Sequence, residues 1–155
     1  MPYGIPHFSK DVLSLFSEYD KNEVILCGHT ASKPVLTHSA GRFEYYGFSF
    51  RVPRLSGRED ILNITAPFHI LPEGLGDMTK INIRGVMRSR NVHDSDKYRL
   101  ILCVCAREIK LAGEDCEAQN SISLTGSVCK PPIYRETPLG RRVCDIMLAV
   151  KRSYG

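Results

Sequence analysis

Asn22-Glu23-Val24-Ile25-Leu26-Cys27-Gly28, followed by Lys33-Pro34, returns later in the chain as Asn120-Ser121-Ile122-Ser123-Leu124-Thr125-Gly126, followed by Lys130-Pro131-Pro132. A second pair has the same spacing: Phe48-Ser49-Phe50-Arg51-Val52-Pro53-Arg54 is answered by Ile146-Met147-Leu148-Ala149-Val150-Lys151-Arg152. The separation is 98 residues both times (22 to 120, 54 to 152). That is too long for a solenoid unit and suits a small domain. The chain therefore reads as one domain followed by the opening of a second copy.

Working outward from Val24, the period of the pattern sets the element types. Before it, residues 7–20 have a helical pattern, with Ser9 as N-cap, Phe8 placed to staple to Leu13, and an apolar side of Val12, Leu13, Leu15, Phe16 and Tyr19. From Glu23 onward the period is two. Strands are expected at Glu23–Gly28, at about Arg42–Arg54, at about Ile61–Ala66, at about Lys80–Asn91 and at about Lys97–Lys110. In the second of these, Tyr46, Phe48, Phe50 and Val52 face one way, and Gly47, Ser49 and Arg51 the other. Pro67–Asp77 is a connection with room for one helical turn, and His93-Asp94-Ser95-Asp96 is a polar hairpin tip.

Five strands with a break between the third and fourth fit an all-β, five-stranded Greek-key barrel, the OB-fold. The expected organisation is a helical extension over 1–21, the barrel over 22–113, an acidic linker over 114–119, and the first two strands of a second OB-fold over 120–155. Those two strands, Ser121–Val128 and about Arg141–Arg152, are joined by the loop Cys129–Gly140. A lone hairpin is marginal in water. Its apolar residues Ile122, Leu124, Ile146, Leu148 and Val150 need cover from the first domain, from a second chain or from further barrel strands. Pairing between chains is the favoured reading, giving a homo-oligomer.

No stretch approaches the roughly 18 apolar residues of a membrane span, and no secretory pattern opens the chain. The six cysteines form no Cys-x-x-Cys pair. The expectation is a soluble cytoplasmic protein with reduced, buried thiols. The five His residues are scattered and no catalytic motif appears, so neither an enzyme nor a cofactor or metal is expected. The net charge of +4 lies wholly in 120–155; residues 1–119 hold 15 basic and 15 acidic side chains. A basic second copy suits a polyanion partner, or simply a solvated hairpin.

Asn120-x-Ile122-x-Leu124-x-Gly126-x-Val128, then Pro132, Arg135, Thr137-Pro138-x-Gly140-Arg141 and Ile146-x-Leu148-Ala149-Val150-x-Arg152, resembles the opening of a bacterial single-stranded DNA-binding protein. The first copy resembles it more weakly, through Asn22–Gly28, Pro34, Gly41-Arg42, Phe48–Arg54, Gly85-x-Met87-Arg88-x-Arg90 and Asp96-Lys97-Tyr98. Together the two copies cover most of the chain, as in duplicated members of that family, where two chains make a four-barrel assembly. The resemblance implies binding of single-stranded DNA with little sequence preference, in replication, repair or recombination at the nucleoid.

Such binding needs cations that track phosphates and flat rings on which bases stack. The candidate cations are Arg51, Arg54, Arg84, Arg88, Arg90 and Arg99 in the first copy, and Arg141, Lys151 and Arg152 in the second. The candidate rings are Tyr98 and Tyr154. Tyr45 is either a further platform or edge packing. The chain has no Trp, which the family uses for stacking, and Val92 stands at one such position. An OB protein–protein assembly module, of primosome or phage-complex type, is the alternative.

Overall fold

The computed structural model describes residues 21–95 and 97–152; the expected helix over 7–20 and Tyr154 lie outside them. Six strands build the first unit: β1 (Asn22–Thr30), β2 (Val35–Ala40), β3 (Phe43–Pro53), β4 (Glu59–Pro67), β5 (Lys80–Asp94) and β6 (Lys97–Leu111). The sheet runs β2-β3-β4-β6-β5-β1 and closes because β3 also pairs with β1. The β4–β6 contact is parallel and the other pairings of the ring are antiparallel. The result is a closed five-stranded barrel, β1-β3-β4-β6-β5, with the strand order of an OB-fold. Between β4 and β5 there is one 3-10 turn, Phe68–Ile70.

Alternation along each strand fills the barrel. Val24 and Leu26 of β1, Phe48, Phe50 and Val52 of β3, Ile64 and Ala66 of β4, Ile81 and Ile83 of β5, and Val104 and Ile109 of β6 form one buried cluster. At about 25 cal/mol per Å² of buried apolar surface, this cluster is the main favourable term in the fold. Thr30, the one buried polar residue among those described, closes an end of the barrel. Its hydroxyl donates to the Gly76 carbonyl at 2.6 Å and accepts the Thr79 N–H at 2.8 Å, so the connection to β5 is tied to the end of β1.

β2 was not foreseen. All six of its residues are exposed, so it has no apolar alternation to betray it. It exists because Gly41, at φ 60, turns the chain back onto β3, and a bulge between Leu36 and His38 adjusts the pairing. Its strand therefore begins at Val35, and the expected strand from Arg42 is the second half of a hairpin.

The chain divides into two compact units, and the boundary falls inside β7 (Gln119–Leu124), the strand beside β1 in the sheet order. In the second unit the expected pair of long strands is broken into β8 (Ser127–Val128), β9 (Ile133–Glu136), β10 (Arg142–Asp145) and β11 (Leu148–Ala149). β8 pairs with β11 and β9 with β10. The loop Cys129–Gly140 is thus a correction, since it contains β9. The hairpin turns only at 137–141, where the Thr137 N–H donates to the Arg141 carbonyl and Gly140 sits at φ 72. The interruption between β8 and β9 follows from Pro131 and Pro132, which have no N–H to give a ladder.

The two hairpins share their register at the 98-residue spacing. Thr30↔Phe50 and His29↔Arg51 in the barrel correspond to Val128↔Leu148 and Ser127↔Ala149. The Ala31 N–H donates to the Ser49 carbonyl at 2.7 Å, and the Cys129 N–H to the Met147 carbonyl at 2.9 Å. A Cβ on Gly28 would stand 2.2 Å from the Arg51 carbonyl oxygen, and one on Gly126 would stand 2.2 Å from that of Ala149. Glycine is required at both because only a residue without Cβ lets the strands cross so closely.

Burial corrects the reading of the cysteines. Cys27 is buried, Cys103, Cys105 and Cys116 are half-buried, and Cys129 and Cys144 are exposed on the second hairpin, whose faces lack the cover that the barrel supplies. Among the described residues no helix is long and apolar enough to cross a membrane.

Candidate nucleic-acid interface

The longest feature of the barrel unit is the β5–β6 hairpin, 15 residues on each strand. Burial along it ends near Met87 and Val104, and Arg88–Asp94 with Lys97–Cys103 continue past the core as an arm. Cross-strand partners sort its side chains. Arg88 stands opposite Cys103, Arg90 opposite Ile101, and Val92 opposite Arg99, which places Arg88, Arg90 and Arg99 on one face. Arg84 shares the parity of Arg88 and Arg90 on β5. At the bulge between Arg84 and Gly85, β6 has one residue more than its partner, and Glu108 comes opposite Arg84.

Arg51 reaches the outer face through another strand. It pairs with His29 of β1, which in turn pairs with Lys80 of β5, so three basic residue types form a row across three strands. Neighbouring strands lie about 4.8 Å apart, and the ten steps from Lys80 to Arg90 cover roughly 33 Å along β5. The Arg51 Nε is buried and has no hydrogen-bond partner among the described residues.

Not every expected cation is available. Arg54 leaves the strand end and grips Asp60 with two guanidinium nitrogens, Nε to Oδ2 at 2.6 Å and the second to Oδ1. That hydrogen bond raises the Arg54 pKa, helped by the Asp60 charge, and lowers that of the Asp60 carboxyl. Arg84 approaches Glu23 at 3.4 Å. Glu108 is held below its ordinary range chiefly by the Lys110 hydrogen bond and charge, and least by Arg84. Among the described residues Arg88, Arg90 and Arg99 make no ion pair.

Tyr98 is exposed but lies opposite His93, with ring centroids 4.6 Å apart, and shares its face with Leu100 and Leu102. That is the other face of the arm from Arg99. The residues expected in the second copy lie in the second unit. Arg141 closes the hairpin turn, and its N–H donates to the Thr137 hydroxyl at 3.1 Å. Lys151 and Arg152 are exposed beyond β11.

Around Tyr45, the further candidate platform, the β2–β3 hairpin gathers rings that sequence reasoning missed. Tyr45 stacks on His38 with centroids 4.9 Å apart and planes 1° from parallel. Phe43 meets His69 at 5.6 Å, and the Arg42 guanidinium lies over Phe43 at 5.1 Å from its centroid. On the other side, Tyr46 and Phe68 line an open pocket of about 490 Å³ with Pro34, Leu71 and Pro72. The available signal was the cluster Phe43, Tyr45 and Tyr46 beside Gly41-Arg42.

No family model matches the sequence, and no curated protein matches it. Among solved structures, the N-terminal domain of the PriB protein from Thermoanaerobacter tencongensis, described as dimeric, is 32% identical with a TM-score of 0.53. The match covers 60% of this chain and 98% of that one. The chain belongs to the PriB family. Two single-stranded DNA-binding proteins from Thermus aquaticus, one wild-type and one a deletion variant, share its fold at 21% and 20% identity. Their TM-scores are 0.68 and 0.67, each match covers 84% of this chain, and they are covered to 68% and 69%. For this OB-fold family member, 84% is more than the barrel unit alone contains.

Proposed function

We propose that this protein binds single-stranded DNA with little sequence preference, in replication, repair or recombination. The observation that carries the reading is the row of Arg88, Arg90 and Arg99 on one face of the arm, which make no ion pair among the described residues. Guanidinium groups at strand spacing on a surface that extends beyond the core suit a chain of phosphates, and the names of the two similar Thermus aquaticus structures support the ligand. Arg51 and Arg84 extend the track along the barrel, while Arg141, Lys151, Arg152 and Tyr154 add a contribution from the second copy. Arg54, already paired, contributes least.

The repeated register supports reading 120–155 as the opening of a second OB copy, and its exposed Ile122, Leu124 and Ile146 support homo-oligomer formation over that face. Light scattering tests the second point, and a monomer at all concentrations rejects it.

The interface is tested by fluorescence anisotropy with labelled oligothymidine at two salt concentrations. Replacing Arg88, Arg90 and Arg99 together by Ala should weaken binding at low salt and flatten the log–log salt slope by about 2, at roughly 0.7 for each phosphate no longer neutralised. An unchanged slope removes the arm from the interface. The second reading, a protein–protein assembly module, is favoured by the opposite face of the same arm, where Tyr98, Leu100 and Leu102 are exposed together. Absence of any binding to the oligonucleotide at low salt would select it.

A further inference from the structure

The connection after β6 is strapped across the outer face of β1 and β5. The Ala112 N–H donates to the Lys80 carbonyl at 3.0 Å, and the Lys80 ammonium donates to the Glu114 carbonyl at 2.9 Å. The Cys116 N–H donates to the Gly113 carbonyl at 3.1 Å, which completes a turn carrying the Cys116 side chain back over the sheet. There its sulfur sits 3.6 Å from both the amide nitrogen and the amide oxygen of Asn82. It also stands 3.3 Å from Sγ of Cys27, a residue 89 positions earlier on β1. Cys27 points out of the barrel beside Asn82, its cross-strand partner, and is 1% exposed because the strap covers it.

We propose that Cys116 and Cys27 form a redox dithiol that closes to an intramolecular disulfide by exchange with a small disulfide of the glutathione class. The geometry is nearly that of the product. The sulfurs are in van der Waals contact, and bonding at about 2.05 Å asks for a movement of roughly 1.3 Å. Burial sets the order of events. The Cys27 thiol is pushed up to about 11, first by burial and then by the hydrogen bond and charge of Cys116. It is therefore protonated and shielded, whereas half-buried Cys116 meets solvent.

In the first step the Cys116 thiolate attacks one sulfur of oxidised glutathione, forming a mixed disulfide and expelling one glutathione thiolate. In the second, Cys27 gives up its proton and attacks Sγ of Cys116, expelling the other. Two protein thiols are oxidised, one external disulfide is reduced to two thiols, and both protons leave with glutathione. The new bond ties β1 to the strap and encloses β2–β6 in one covalent loop. Such a long loop constrains the unfolded chain strongly.

The experiment uses the full chain, reduced or treated with oxidised glutathione, followed by peptide mapping and thermal unfolding. The expected result is a cross-linked peptide pair containing Cys27 and Cys116, no glutathione left on either, and a melting temperature raised by at least about 5 °C. Dithiothreitol should reverse all three. Cys27→Ser should leave glutathione trapped on Cys116, and Cys116→Ser, at the more exposed site, should leave Cys27 unmodified with no thermal gain. Glutathione persisting on Cys116 in the unaltered chain, or a mapped protein free of the cross-link, would overturn the proposal.

Discussion

Phe50 and Leu148 occupy the same place in two hairpins 98 residues apart, opposite Thr30 and Val128 respectively. Phe50 is fully buried and Leu148 is 37% exposed. Register is therefore local, set by Gly28 and Gly126 at the close approach of the strands and by Gly41 and Gly140 at the turns. Burial is not local. In the barrel Ile64, Ile81, Ile83 and Val104, from three later strands, close over Phe50. A strand pair fixes who stands opposite whom, and only additional layers convert that order into hydrophobic stabilisation.

Truncation should break this comparison most sharply. Phe50→Ala should cost about 3–5 kcal/mol in urea unfolding, the usual toll for a fully buried aromatic side chain. Leu148→Ala should cost under about 1 kcal/mol. Equal losses would mean that the second hairpin is covered in solution, and a dependence of the Leu148 effect on protein concentration would identify the cover as another copy. A smaller contrast is expected at the glycines. A Cβ meets a carbonyl oxygen at 2.2 Å in both places, but only Gly28 lies in a closed ring of strands. Gly28→Ala should lower global stability by about 1–3 kcal/mol. Gly126→Ala should leave global stability nearly unchanged and appear as faster amide exchange of Cys129, whose N–H bonds Met147.

The same contrast explains what the sequence disclosed. The barrel strands were legible because each has one buried face, which writes period two into residues such as Val24, Leu26, Phe48 and Phe50. β2 and β9 have no buried face, and neither left that imprint. The arm has no buried face, but its arginines keep the parity of the buried segments they continue: Arg88 and Arg90 alternate with Met87, and Arg99 with Leu100 and Leu102, which are in step with Val104. Tyr98, one residue before Arg99, belongs by the same rule to the other face, so grouping it with the cations conflicted with the period itself. Contacts that join distant segments left no local trace. Asp60 neutralises Arg54 across the β3–β4 turn, and Cys116 reaches Cys27 only once β6 has returned beside β5.

The finest test lies in two ion pairs, one in each hairpin region. Arg54 pairs with Asp60 in the barrel unit, and Arg135 pairs with Asp145 across β9–β10, Nε to Oδ2 at 2.8 Å. Each arginine holds its partner's carboxyl below the usual range, mainly by the hydrogen bond, with desolvation next and opposing it and the arginine's charge after that. A carboxyl lowered on folding adds stability above its unfolded value, about 3.9, and loses it as the pH falls through the lowered folded value. Both pairs are exposed, so the gain is slight and salt should screen it. Their use is as reporters. Carbon NMR titration should place both midpoints below about 3.9, and Arg135→Gln should raise Asp145 alone toward it, with only the Lys130 charge still lowering it. An Asp145 that titrates normally in the unaltered chain, beside a lowered Asp60, would show that β9 and β10 separate in solution while the barrel holds. Register would then need burial after all, at least at that end of the hairpin.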